Sequence, residues 1–186
     1  HLNYQDVIAI GHLLATGRLR QERVIAVCGS GGLAYVHDGT GWTQTATTNA
    51  NNVTAVWAAS PTDAYLVASS GTIRHFNGSA WNTVSSGTTN HLRAVWGAAG
   101  NAVFAVGFTG TVTHFNGTAW STMTTGTSEN LNGVWGSSAS NVFAVGNSGT
   151  ILRYDGSTWS AMTSGTTVNL QAIWGSSASD VYAVGD

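Results

Sequence analysis

An all-β fold, a β-propeller of four-stranded blades on a 39-residue repeat preceded by a short N-terminal helix, follows from three observations on the 186-residue sequence. Trp57, Trp96, Trp135 and Trp174 lie 39 residues apart, and Trp42, Trp81, Trp120 and Trp159 keep the same interval, so two repeat positions use all eight tryptophans. Gly71, Gly110 and Gly149 recur on the same period, as do Phe76, Phe115 and Tyr154 two residues ahead of Gly78, Gly117 and Gly156. Within one unit, "LRAVWG", "NAVFAVG", "TVTHFNG" and "AWSTMTTG" are short runs rich in Val, Phe, Thr and Trp, bounded by Gly, Asn or Ser. A period near 40 belongs to propeller blades or to two-helix repeats. Runs this short, without i, i+3, i+4 spacing, are strands, and four per unit make a blade.

The strands fall in order from first to fourth. Three full blades start near Val53, Leu92 and Leu131. Asn-Gly or Asp-Gly at 77–78, 116–117 and 155–156 predicts a two-residue hairpin between the third and fourth strands, where both turn residues need positive φ. Ahead of these blades come a second-like strand (24–28), a third (33–37) and a fourth (41–46). After them come only a first (170–175) and a second (181–185). The two half-blades can complete each other within one chain as a four-bladed ring, or between two chains as a homodimer with an eight-bladed ring. Exposed strand edges favour the dimer.

Residues 1–29 lie outside the repeat, which occupies 30–186. They hold Arg18, Arg20 and Arg23, half of the arginines, and lack the Ser/Thr/Gly texture of the rest. Asn3 with Asp6, an apolar stripe of Val7, Ile8, Leu13 and Leu14, and Gly17 at the end predict a capped helix. "ERVIAVCG" then predicts a buried strand. The run "HLNYQDVIAIGHLLATGRLRQERVIAVCG" resembles an internal piece of one subunit of the sodium-translocating NADH:quinone oxidoreductase. So small a fragment carries over no quinone or sodium chemistry. Residues 30–186 resemble the Trp/Gly-rich propeller repeats of large bacterial secreted or surface proteins. The junction implies a chimera, engineered or selected from shuffled fragments, with natural fusion as the alternative. Matching "VIAVCGSGGLAYVHDGTGW" to "VFAVGNSGTILRYDGSTW" leaves one residue over. If Gly29 matches Gly146, Cys28 is the surplus, and the strand's alternation flips unless a bulge absorbs it.

Composition narrows the function classes. Charged residues make up 8% of the chain, the cations are all arginine, and the net charge is −2, so neither nucleic acid nor an anionic membrane is an expected partner. No run is apolar enough to span a bilayer. The lone Cys28 cannot form an internal disulfide and reads as a buried thiol. His75 and His114 share a repeat position that Arg153 takes next, without converging ligands, so no metal or cofactor is expected. Asp63, Asn141 and Asp180 share another, which reads as bonding turn amides. No paired-carboxylate, triad or phosphate-loop arrangement is present, and no catalytic residue is assigned.

The expected function is therefore none of a biochemical kind: a chimeric fragment whose N-terminal segment supports folding and assembly. The alternative is a carbohydrate-binding, lectin-like module or a protein-binding one. In that case Trp42, Trp81, Trp120 and Trp159 would offer ring faces near Asn/Ser/Thr-rich loops, while Trp57, Trp96, Trp135 and Trp174 form the repeat core.

Overall fold

A computed structural model of the chain describes residues 24–28, 33–37, 41–46 and 52–186. Their strands form five antiparallel sheets in sequence order. The first has three strands: β1 (Val24–Cys28), β2 (Leu33–His37) and β3 (Trp42–Ala46). Three complete blades follow: β4 (Val53–Ser60), β5 (Asp63–Ala68), β6 (Ile73–Phe76) and β7 (Trp81–Val84); then β8 (Leu92–Ala99), β9 (Ala102–Gly107), β10 (Val112–Phe115) and β11 (Trp120–Met123); then β12 (Leu131–Ser138), β13 (Asn141–Gly146), β14 (Ile151–Tyr154) and β15 (Trp159–Met162). A two-stranded sheet of β16 (Leu170–Ser177) and β17 (Asp180–Gly185) comes last.

Each blade is a meander, and its first strand adjoins the first strand of the next, β4 to β8 to β12 to β16. The second strands are buried on both faces, so "AYLVA", "VFAVG" and "VFAVG" are nearly continuous apolar runs. The hydrophobic core lies between blades. One cluster joins Tyr65 and Val67 to Leu92, Val103 and Trp120, and the next joins Phe104 and Val106 to Leu131, Val142 and Trp159. Each first strand shifts register twice, as at Val53/Ala55 and Ala58/Ser60, and such bulges add twist.

Two turns alternate along the array. Between the second and third strands, Ser70-Gly71, Thr109-Gly110 and Ser148-Gly149 all have positive φ, the mark of a type I′ turn. Between the third and fourth strands the expected two-residue Asn-Gly hairpin is not what forms. Phe76 pairs with Trp81 and leaves four residues in the connection. Asn77 keeps an ordinary φ, and its Oδ1 accepts from the backbone amides of Ser79 and Ala80 at 3.1 and 3.0 Å, while only Gly78 is left-handed.

The expected fold class is corrected in its closure. The sheets form an open row rather than a closed propeller, because neither terminal sheet pairs with the other. The physical reason is at the first sheet: β1 already occupies the edge of β2, so β17 has no third strand to join. Trp174, Tyr182 and Val184 on the last sheet are consequently 52%, 61% and 60% exposed. The N-terminal helix is expected on residues that lie outside the described ones, which contain no helix beyond the single 3-10 turn Asn147–Gly149.

The register of β1 corrects a second expectation. Val24 pairs with His37 and Ile25 with Val36, as Val142 pairs with Tyr154 and Phe143 with Arg153. Val24 through Val27 therefore occupy the places of Val142 through Val145, and Cys28 that of Gly146. The surplus residue falls in the connection to β2, where Cys28 pairs with Leu33 and four residues lie between them, so the alternation of β1 is kept.

Candidate functional site

One concavity of the described residues runs across the first strands. It is a groove of about 900 Å³ along β4, β8, β12 and β16, lined by Trp57, Trp96, Trp135, Trp174, Ile173 and small Ala, Gly and Ser residues. No titratable side chain lines it. Its chemistry is that of aromatic faces and narrow apolar spaces, with the Ser176 hydroxyl as the polar side chain.

Trp57, Trp96 and Trp135 are each held from two sides. Within its blade each pairs in register with the second-strand aromatic, and the rings stack: Trp57 with Tyr65 at 6.5 Å, Trp96 with Phe104 at 6.4 Å and Trp135 with Phe143 at 6.5 Å. From the next blade, Gly97, Gly136 and Gly175 lie under the ring. A Cβ on Gly97 would stand 2.5 Å from the Trp57 ring, and those on Gly136 and Gly175 would stand 2.6 and 2.7 Å from Trp96 and Trp135. Only glycine fits that contact, which explains "WG" in the sequence. Trp57, Trp96 and Trp135 remain half-buried, with part of each ring facing the groove; Trp174, with no blade beyond it, is exposed.

The other tryptophan series sits differently. Trp81, Trp120 and Trp159 begin the fourth strands and are 8%, 9% and 8% exposed. Trp120 lies edge-on to Tyr65 of the preceding blade at 5.7 Å, and Trp159 to Phe104 at 6.3 Å. The Nε1 groups of Trp120 and Trp159 are buried without a hydrogen-bond partner, so these rings contribute packing alone. Trp42 starts β3, and its side chain is outside the described set. The groove is thus lined by the first-strand tryptophans, of which Trp57 and Trp96 also pack against the core clusters. The first strands, not the fourth, are the inner ones, since each adjoins the first strand of the next sheet.

Behind Trp57, Trp96 and Trp135 the row continues to the third strand. His75 stacks on Tyr65 at 4.6 Å, His114 on Phe104 at 4.2 Å, and the Arg153 guanidinium lies over Phe143 at 5.9 Å. The Asp63/Asn141 repeat position partners this one: His75 Nε2 meets Asp63 Oδ1 at 2.8 Å, and Arg153 Nε donates to Asn141 Oδ1 at 2.9 Å. Burial, and then the charge of Asp63, pushes the Tyr65 hydroxyl pKa up to about 12. Burial also pushes His114 below the usual imidazole value. At the exposed turns, the amides of Thr158 and Ser157 hold Asp155 below the usual carboxylate range, and hydrogen bonds from Ser176 and Tyr182 do the same for Asp180. Among the described residues no group of three or more His, Cys, Asp or Glu could hold a metal ion.

No family model matches the chain. Over 29 residues, 16% of its length, it is 76% identical to a Na(+)-translocating NADH-quinone reductase subunit of Neisseria meningitidis serogroup A. Over 31 residues it is 61% identical to the same subunit of Tolumonas auensis. The matched segments span 6% and 7% of those proteins. Three solved structures cover nearly the whole chain. YCF48 bound to D1 peptide superposes with a TM-score of 0.68 at 14% identity, over 96% of this chain and 64% of that one. YCF48 from Cyanidioschyzon merolae gives 0.65 at 16%, over 92% and 69%. The WD40 β-propeller domain of Doa1 gives 0.73 at 14%, over 90% and 58%. The likeness is one of fold. The blades resemble those of WD40 and YCF48 propellers, and the chain spans about 58–69% of those structures. A short oxidoreductase-like segment and a propeller-like array thus share one chain.

Proposed function

We propose that the chain is a protein-binding module, whose groove along β4, β8, β12 and β16 receives an extended polypeptide. The observation that carries this reading is the uncharged row of tryptophan faces, one per blade, in a groove of about 900 Å³. Aromatic faces separated by small residues suit prolyl and apolar side chains. One structural neighbour, YCF48, is bound to D1 peptide, which supports a peptide as the ligand class for such an array. Carbohydrate is the second reading, favoured by Ser/Thr-rich hollows such as that around Thr88, Asn90 and Thr125, but the groove has too few polar groups to orient a sugar. The absence of acid, base or nucleophile clusters in the groove favours binding over catalysis.

Three finer points complete the proposal. The chain works as a homodimer, supported by the unpaired last sheet. It is a chimera, supported by the short high-identity match next to an unrelated repeat. Its propeller part derives from a secreted or surface protein, supported by the charge-poor Ser/Thr/Gly texture. No described helix is long and apolar enough to cross a membrane.

Short proline-rich and aromatic peptides, with a chitin disaccharide for comparison, are titrated against the chain while tryptophan fluorescence is followed. Peptide binding weakened about tenfold or more in Trp96→Ala, with an unchanged circular dichroism spectrum, is expected. Response to the sugar alone would favour the second reading, and response to neither would end both.

A further inference from the structure

The last sheet specifies what it lacks. Tyr65 is covered by a third-strand ring and a fourth-strand tryptophan of the next blade, Phe115 and Trp120, both at 5.7 Å. Phe104 is covered in the same way by Tyr154 and Trp159. Phe143 holds the same place in the third blade, but among the described residues the sheet beyond it consists of β16 and β17 alone, and Phe143 is left half-buried. Tyr182 and Val184 on β17 are exposed, and among the described residues no strand pairs with the outer edge of β17. The cover that fits is a third strand paired to a fourth strand that begins with tryptophan.

Among the described residues, one such pair lies outside the complete blades. β2 and β3 take the third and fourth places, with His37 opposite Trp42 as Phe76 is opposite Trp81. Their second-strand place is filled by β1, whose "VIAVC" matches the "VYAVG" of β17 position for position. We propose that β17 of one copy pairs with the β2 edge of a second copy in place of β1, so that β16 and β17 of the first and β2 and β3 of the second make one four-stranded blade. This rests on the homodimer proposed above. The ladder would set Val181 opposite His37, Tyr182 opposite Val36 and Ala183 opposite Tyr35, the register β1 uses through Val24, Ile25 and Ala26. β3 would then stand beside Phe143 as β11 and β15 stand beside Tyr65 and Phe104. Strand exchange of this kind satisfies an open edge with main-chain hydrogen bonds the sequence already encodes.

Two double variants, each with Cys28→Ser, test it. Facing residues of an antiparallel ladder are close enough for a disulfide. Ala183→Cys with Tyr35→Cys should give a covalent dimer under mild oxidation, and light scattering of the unmodified chain should give twice the 19.2 kDa chain mass. Ala26→Cys with Tyr35→Cys reports the alternative in which β1 keeps its place. A dimeric mass in which only the second pair cross-links, within one chain, overturns the exchange and leaves the homodimer standing. A monomeric mass without the 183–35 cross-link overturns both. A 183–35 cross-link within a single chain overturns the exchange between copies.

Discussion

At the residue scale, the histidine and carboxylate repeat positions form one cross-strand unit with three versions. Asp63 with His75 is a carboxylate–imidazole version and Asn141 with Arg153 an amide–guanidinium version. In the second blade, alanine stands at 102 and His114 Nε2 is buried without a partner. Burial lowers the His114 pKa, so the folded state binds this proton less well than the unfolded chain. Its contribution to stability is present above the unfolded value near 6.5 and is lost as pH falls toward the folded value. Ala102→Asp supplies the carboxylate that Asp63 supplies to His75. A carboxylate beside the imidazole favours its protonated form, so the stability it adds is greater at low pH and fades as the imidazole loses its proton. We expect Ala102→Asp to stabilise by about 1 kcal/mol at pH 5.5 and by less at pH 8. Urea denaturation at the two pH values checks this. An equal gain at both would show that His114 is not the group responding.

At the element scale, strand order and most strand ends were legible in the sequence, because aromatic and β-branched runs are bounded by glycine and asparagine in every repeat. Turn type was not. Asn-Gly at 77–78 suggests a two-residue hairpin, but the loop length depends on where the ladder stops, and Phe76 opposite Trp81 stops it with four residues still to connect. Left-handed non-glycine residues occur instead at Ser70, Thr109 and Ser148. Ser148, at φ 54° and ψ 34°, keeps its amide bonded to Asn169 Oδ1 at 3.1 Å, a bond that does not depend on its own side chain. Asparagine tolerates this conformation better than serine and heads the preferred type I′ pair. Ser148→Asn should therefore add about 0.5 kcal/mol and raise the unfolding temperature by about 1–2 °C. Ser157→Asn, in a turn where residue 157 is not left-handed, should give no such gain. A rise common to both variants in thermal melts would mean that the conformation at 148 is not the cause.

At the scale of the whole molecule, the count of half-blades was legible, while the outcome at the ends depended on β1. A strand that imitates β17 was visible as the likeness of "VIAVC" to "VYAVG", but its register, and so its competition for β2, needed the pairing itself. The tryptophan roles were hidden for a related reason: both series sit in strands, and only the order of strands from inside to outside decides which ring meets the groove. One residue out of pattern bears on the seam between copies. Ala58 stands where Gly97, Gly136 and Gly175 lie under a tryptophan, and 39 residues before Trp57 the sequence has Arg18. If β16 and β17 of a second copy complete the first blade, Trp174 comes over Ala58, and a Cβ there stands as close to the ring as one on Gly97 would to Trp57, 2.5 Å. The seam then forms with the ring displaced, at a cost of about 1–3 kcal/mol. Ala58→Gly removes the obstruction and should tighten association about tenfold. It should also lower the stability of the isolated chain by about 0.5–1 kcal/mol, because glycine weakens a strand. These opposite signs separate the two effects: dissociation constants from sedimentation should fall while unfolding of the diluted chain becomes easier. Weaker or unchanged association in Ala58→Gly would mean that Trp174 does not cross this position, and the seam would then have to lie elsewhere on the last sheet.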